Sequence, residues 1–174
     1  LSKECHNVIM NPKYDKEYGP DKVNWEGANV DGVDRGGYPY YCPVGWKRYA
    51  IQFNDKPLDF EGKYDDWPIA YHATKFQYAM MITLTALKCS YAGHDGCHGA
   101  GVYVTPSIKY TNCPRYSDPY KLDMSKANTA GWTQDQINEF KKYDGQYIQV
   151  AFECRIKPVS YRKCEETCLL YKYD

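Results

Sequence analysis

His72 stands where the apolar run WPIAY gives way to the helix-like stretch KFQYAMMITLTALK. An imidazole at such a junction can donate to a ligand hydroxyl while its second nitrogen is tied to the backbone. The competing role is a histidine satisfied inside the core. Further along, Tyr103 follows Gly99 and Gly101 in GAGVYVTP. Glycines placed this way let the chain pass close to a ligand, or simply turn it into a strand. The stretch has neither the GxxxxGK[ST] form of a phosphate loop nor the spaced glycines of a dinucleotide fingerprint. HDGCH gathers His94, Asp95, Cys97 and His98, side chains that zinc accepts, but without the separated pairs of a structural zinc site, so no metal is assigned. The late carboxylates are Glu153, inside a strand-like run, and Glu165 and Glu166 in CEETC. That spacing is CxxxC, not the CxxC of a redox pair, and no GxSxG nucleophile elbow occurs.

These residues need elements to hold them. GWKRYAIQF alternates through Trp46, Tyr49, Ile51 and Phe53 and predicts a strand. WPIAYHAT predicts a more buried strand. After Thr74 the apolar positions Phe76, Met80, Leu84 and Leu87 repeat at helical spacing and predict a helix to about Lys88. GVYVTP predicts a short strand ended by Pro106. Thr133 with Gln136 three residues later is a capping box opening a helix that carries Ile137 and Phe140. QYIQVAFECRIKP alternates through Tyr147, Ile148, Val150, Phe152 and Ile156, with one slip near its start, and is the clearest strand. The first 44 residues carry turn chemistry without lasting periodicity. The chain therefore reads as one α+β domain: a loop-rich N-terminal arm over 1–44 and a body over 45–174, with few helices.

Composition narrows the partners. The chain has 174 residues, 22 basic and 22 acidic side chains and a formal net charge of zero. That balance argues against nucleic acid held through its phosphates. No apolar run reaches transmembrane length. Nineteen tyrosines favour strands and ordered loops over a helical bundle. Eight cysteines, at 5, 42, 89, 97, 113, 154, 164 and 168, are an even set that predicts a secreted protein braced by up to four disulfides.

AYHAT, the helix after it, GVYVTPSIKYT and YIQVAFECRIKP together resemble the poly-ADP-ribose-polymerase-like branch of the ADP-ribosyltransferase superfamily, over roughly residues 45 to 160. The resemblance implies a split antiparallel sheet core that binds NAD. His72 would bond the adenosine-side ribose, and Thr74 would take the place of the family's small hydroxyl residue. The backbone after His72, at Ala73, would receive the nicotinamide amide. Tyr103 would lie in the nicotinamide-pocket strand, with Tyr110 sandwiching the ring and Ser107 near the amide. The catalytic set would be His72, Tyr110 and a late glutamate, assigned to Glu166. Position 73 is alanine where the family has glycine, and neither Glu165 nor Glu166 has a strand context.

Two functions follow as expectations. One is a secreted ADP-ribosyltransferase-like domain that binds NAD and transfers ADP-ribose to a protein. The other is a catalytically inactive, disulfide-braced recognition domain on the same fold, meeting a protein or glycan surface through Tyr38, Tyr40, Tyr41 and Trp46.

Overall fold

The computed structural model describes residues 9–22, 33–35, 38–52, 63–85, 87, 101–129 and 132–162. Its architecture is α+β, with small two-stranded antiparallel sheets and few helices. The described part of the N-terminal arm is tied down by strand pairing. β1 (Ile9–Met10) pairs with β6 (Ile51–Gln52), and β2 (Lys16–Glu17) pairs with β5 (Lys47–Arg48). β3 (Val33–Arg35) pairs with β4 (Tyr38–Tyr40) in a ladder of its own. The strand expected over GWKRYAIQF is thus two short strands, broken at Tyr49 and Ala50, and Phe53 lies outside the described residues. The break lets the two halves pair with different parts of the arm.

The longest ladder joins β7 (Ile69–Thr74) to β10 (Val150–Arg155), antiparallel, with His72 opposite Phe152 and Tyr71 opposite Glu153. On its other edge, among the described residues, β7 forms a bridge with Thr105, whose N–H and C=O both bond Tyr71. GVYVTP therefore meets β7 at an isolated bridge and not as the full strand its alternation predicts. Two residues on, where the next ladder bond would come, Ser107 gives its N–H to the Thr105 hydroxyl instead. The slip near the start of the last strand is also real. β9 (Tyr147–Ile148) pairs with β8 (Tyr120–Lys121), Gln149 interrupts, and β10 begins at Val150. The Gln149 side chain turns away to donate to the carbonyls of Asn112, at 3.0 Å, and Ser117, at 2.6 Å.

Alternation along β7 gives the sheet two faces. Ile69 and Tyr71 enter a core with Tyr18, Tyr40, Cys42 and Ile108, flanked by Trp46 and Ala151. Tyr18, Tyr40 and Cys42 all come from the loop-rich arm, so the arm helps to build the core. Tyr40 is buried and Trp46 packs against the core. Neither offers the surface that the recognition reading assigned to them, whereas Tyr41 is exposed. Tyr71 anchors this face, donating from its hydroxyl to the Tyr41 carbonyl at 3.0 Å.

α1 (Phe76–Thr85) follows β7 after one residue and ends three residues short of the sequence expectation. Its stripe is only partly seated. Phe76 stacks on Tyr120 with ring centroids 4.4 Å apart, while Met80 is 51% exposed. The Leu84 side chain lies outside the described residues. α2 (Ile108–Thr111) buries Ile108 and Thr111. α3 (Gln134–Lys141) opens with both bonds of the expected capping box, between Thr133 and Gln136. Among the described residues no helix is long and apolar enough to cross a membrane.

Candidate functional site

His72 lies on the face of β7 that turns away from the Tyr71 core, with Thr74 beside it and Phe152 and Val150 across the ladder. Its ring is half-buried, and Nδ1 sits 2.8 Å from the Tyr103 carbonyl. A carbonyl can only accept, so Nδ1 carries the hydrogen, and in the neutral ring Nε2 is left as an acceptor. Among the described residues no partner meets Nε2.

This bond has a consequence for the next residue. Tyr71 spends its N–H and its C=O on Thr105. Backbone groups alternate sides along an antiparallel strand. Those of Ala73 therefore point to the same edge as those of Tyr71, opposite the stretch that holds Tyr103. The Tyr103 carbonyl bonds the imidazole, and no ladder bond forms between Tyr103 and Ala73. Among the described residues nothing bonds the N–H and C=O of Ala73, which lie side by side at this strand edge, adjacent to His72. The Ala73 methyl points with Tyr71 and the opposed Ala151 to the other face. Ala73 therefore puts no side chain on the His72 face.

Tyr103 is exposed, as is Tyr110. The Tyr110 ring stacks on Tyr116, with centroids 5.1 Å apart, and the two hydroxyls lie 2.9 Å from each other. That hydrogen bond, helped by partial burial, pushes the Tyr110 phenol up to about 12. The turn after α2 brings the rings together: Cys113 N–H donates to the Tyr110 carbonyl and Tyr116 N–H to the Cys113 carbonyl. Ser107, half-buried, precedes α2 and donates its N–H to Thr105 Oγ1 at 3.2 Å. Thr74 is buried, its hydroxyl 3.5 Å from the Lys75 carbonyl. The structure brings His72, Ala73, Thr74 and Tyr103 together at one end of β7, whereas Ser107 is tied to Thr105, opposite Tyr71 and toward the Ile69 end. Tyr110 is one short helix away and takes Tyr116 as its ring partner. Tyr116 was missed in the sequence, where only the close spacing of two tyrosines around Cys113 hinted at it.

The carboxylates behave differently. Glu153 is opposite Tyr71, and so on the face away from His72. Its Oε1 accepts from Arg48 Nη1 at 3.1 Å and its Oε2 from the Tyr18 hydroxyl at 3.0 Å. Arg48 is fixed in turn by Nε and Nη2, which donate to the Tyr14 carbonyl. Burial and the neighbouring Glu153 charge drive the Tyr18 phenol well above its ordinary range. The Glu153 carboxylate is therefore taken up in a structural ion pair joining arm and sheet. Glu165 and Glu166 lie outside the described residues, as do Gly99 and the His94, Asp95, Cys97 and His98 cluster. Among the described residues no three His, Cys, Asp or Glu side chains gather as a metal site.

No protein family, curated protein or solved structure matches this chain.

The cysteine bracing rests mostly on Cys5, Cys89, Cys97, Cys164 and Cys168, all outside the described residues. Cys154 is a thiol whose Sγ lies 3.6 Å from the Phe152 carbonyl. Burial, with the nearby Glu153 charge, pushes it up to about 11.

Proposed function

We propose that the open edge of β7 is the carboxamide-recognition site of an ADP-ribosyltransferase-like, secreted domain that binds NAD. The observation that carries this reading is the N–H and C=O pair of Ala73, unclaimed among the described residues, beside the Nε2 of His72. A primary carboxamide complements that pair: its oxygen accepts from Ala73 N–H while its NH₂ donates to the Ala73 carbonyl. Nε2 accepts from a ribose hydroxyl, and the bond to Tyr103 holds the imidazole in the tautomer needed. In the transfer reaction the bond from ribose C1′ to the nicotinamide nitrogen breaks, and nicotinamide departs with the electron pair. The acceptor's nucleophile bonds C1′ and loses its proton to a base, a role that falls to Glu166 in this reading.

Calorimetry tests it with NAD and with the analogue whose carboxamide is a carboxylate. The analogue lacks the donor and places a charge against the Ala73 carbonyl, so we expect it to bind about 10- to 100-fold more weakly. His72→Ala, which removes the Nε2 contact and frees Tyr103 to close the Ala73 edge, should weaken NAD by at least about tenfold. Equal binding of both dinucleotides, or none by either, refutes the assignment.

One observation favours a second reading, recognition without turnover. Glu153, the carboxylate on β10, is engaged on the far face, and among the described residues none bonds His72. On that reading NAD binds with the same carboxamide preference, but no nicotinamide is released, and the exposed Tyr41, Tyr103, Tyr110 and Tyr116 meet a protein. Nicotinamide release, followed by chromatography, separates the two.

A further inference from the structure

Next to Thr74, at the end of β7, a cavity of about 230 Å³ opens to solvent between Lys75, Phe76 and Gln77 on one side and Asp118, Pro119 and Tyr120 on the other. It is smaller than the roughly 300–1,000 Å³ of sites that enclose a whole drug-sized ligand, so it suits a fragment of one. Its rim carries one cation and one anion. Lys75 Nζ and Asp118 Oδ2 are 3.1 Å apart, with side chains 48% and 51% exposed. An ion pair this wet is weak, and a ligand can part it with little loss. The stacked rings of Phe76 and Tyr120 form part of the wall.

The wall bearing Asp118 is fixed. Ser117 is fully buried, its hydroxyl donating to the Val150 carbonyl at 3.1 Å and accepting from the Val150 N–H at 3.2 Å. Val150 faces Thr74 across the ladder. Asp118 is therefore held one residue from a buried anchor, against the strand end that carries His72.

We propose that this cavity is a phosphoribosyl subsite. Lys75 meets a phosphate as a point charge, and the Asp118 carboxylate accepts from the two hydroxyls of a ribose diol. The aromatic wall offers a flat surface to the sugar's C–H groups. The inference extends the NAD reading, on which it rests for the continuity of the two sites but not for its own chemistry. It makes Asp118 a carboxylate available to the His72 end of the sheet.

The probe is ribose 5-phosphate, followed by amide chemical shifts in the intact protein, with inorganic phosphate as the comparison. We expect saturable shifts at Lys75–Gln77, Asp118 and Tyr120. Binding should fall roughly tenfold in both Lys75→Met and Asp118→Asn. The charge-swapped double variant Lys75→Asp with Asp118→Lys keeps an ion pair, so it should keep wild-type stability while remaining deficient in binding. Absence of shifts, equal binding of inorganic phosphate, or full binding by the swapped variant overturns the subsite. Ribose 5-phosphate binding without any NAD binding overturns the carboxamide site and leaves this one standing. Carboxamide-selective NAD binding without ribose 5-phosphate shifts does the reverse.

Discussion

Arg48→Met is the sharpest test of how the two faces of the sheet divide their work. The substitution removes the guanidinium that pairs with Glu153 and that also bonds the Tyr14 carbonyl. It leaves the carboxylate with Tyr18. Breaking a fully buried pair by deleting one partner costs about 3–5 kcal/mol, and an exposed pair about 0–1 kcal/mol. The side chains here are 29% and 19% exposed, so the cost falls between these limits, at about 2–3 kcal/mol. For a chain of this size that lowers the thermal midpoint by about 4–12 °C. Glu153→Gln can keep an acceptor for Tyr18 and should cost less, about 1–2 kcal/mol. Adding it to Arg48→Met should cost less than the sum of the two, with a coupling of at least about 1 kcal/mol. The assay is urea unfolding of the four proteins, read by near-ultraviolet signals from the tyrosine-rich core. NAD affinity should be unchanged in Glu153→Gln wherever the protein is folded, because that carboxylate lies opposite Tyr71 and not His72. Coupling near zero would refute the ion pair as an anchor. Lost NAD binding in a stable Glu153→Gln protein would refute the assignment of faces.

Three further outcomes are expected. Hydrogen bonds from Lys142 and then Lys47 hold the Glu139 carboxyl at about 2, against 4.5 for the ordinary group. Between those values the unfolded chain binds more protons than the folded one. Its contribution to stability is therefore whole above about pH 4.5 and disappears as pH falls through about 2; carboxyl carbon shifts of Glu139 should titrate near the lower value, and near 4.5 in the Lys47→Met, Lys142→Met protein. Cys154, half-buried and pushed up to about 11, should be alkylated slowly at pH 8 until the chain unfolds, which peptide mass spectrometry before and after denaturant would show; labelling of the folded protein as fast as of the unfolded chain would contradict the raised thiol. Thr133→Ala removes the oxygen that accepts from Gln136 N–H, which should cost about 1 kcal/mol in urea unfolding, whereas Thr133→Ser should cost little.

The elements legible in the sequence were those set by short-range pattern. Thr133 and Gln136 form their box because both groups needed for it lie within one turn, and the slip before Val150 showed itself as a fault in alternation. Ile69–Thr74 was legible for a similar reason, being a compact apolar run that ends at a helix start. Other features depended on which segments meet. Nothing local says that Tyr18 and Tyr40, embedded in turn-rich sequence, enter the core beneath Tyr71, or that Arg48 crosses to Glu153. Alternation put Glu153 on one face of its strand, but only the pairing with β7 decides that this face is not the one His72 occupies.

The Ala73 edge lies furthest from what a sequence can reveal, since it arises from a bond that fails to form. Thr105 completes its pair with Tyr71, and two residues earlier the chain offers its carbonyl to the imidazole of His72. A histidine at 72 thus does two things at once: it presents Nε2, and it diverts the partner that Ala73 would otherwise have. His72→Ala should therefore let the edge close as well as remove a ligand contact, and the Ala73 amide proton should become more protected from exchange in that variant. Unchanged protection would mean that the edge stays open for a reason other than the histidine.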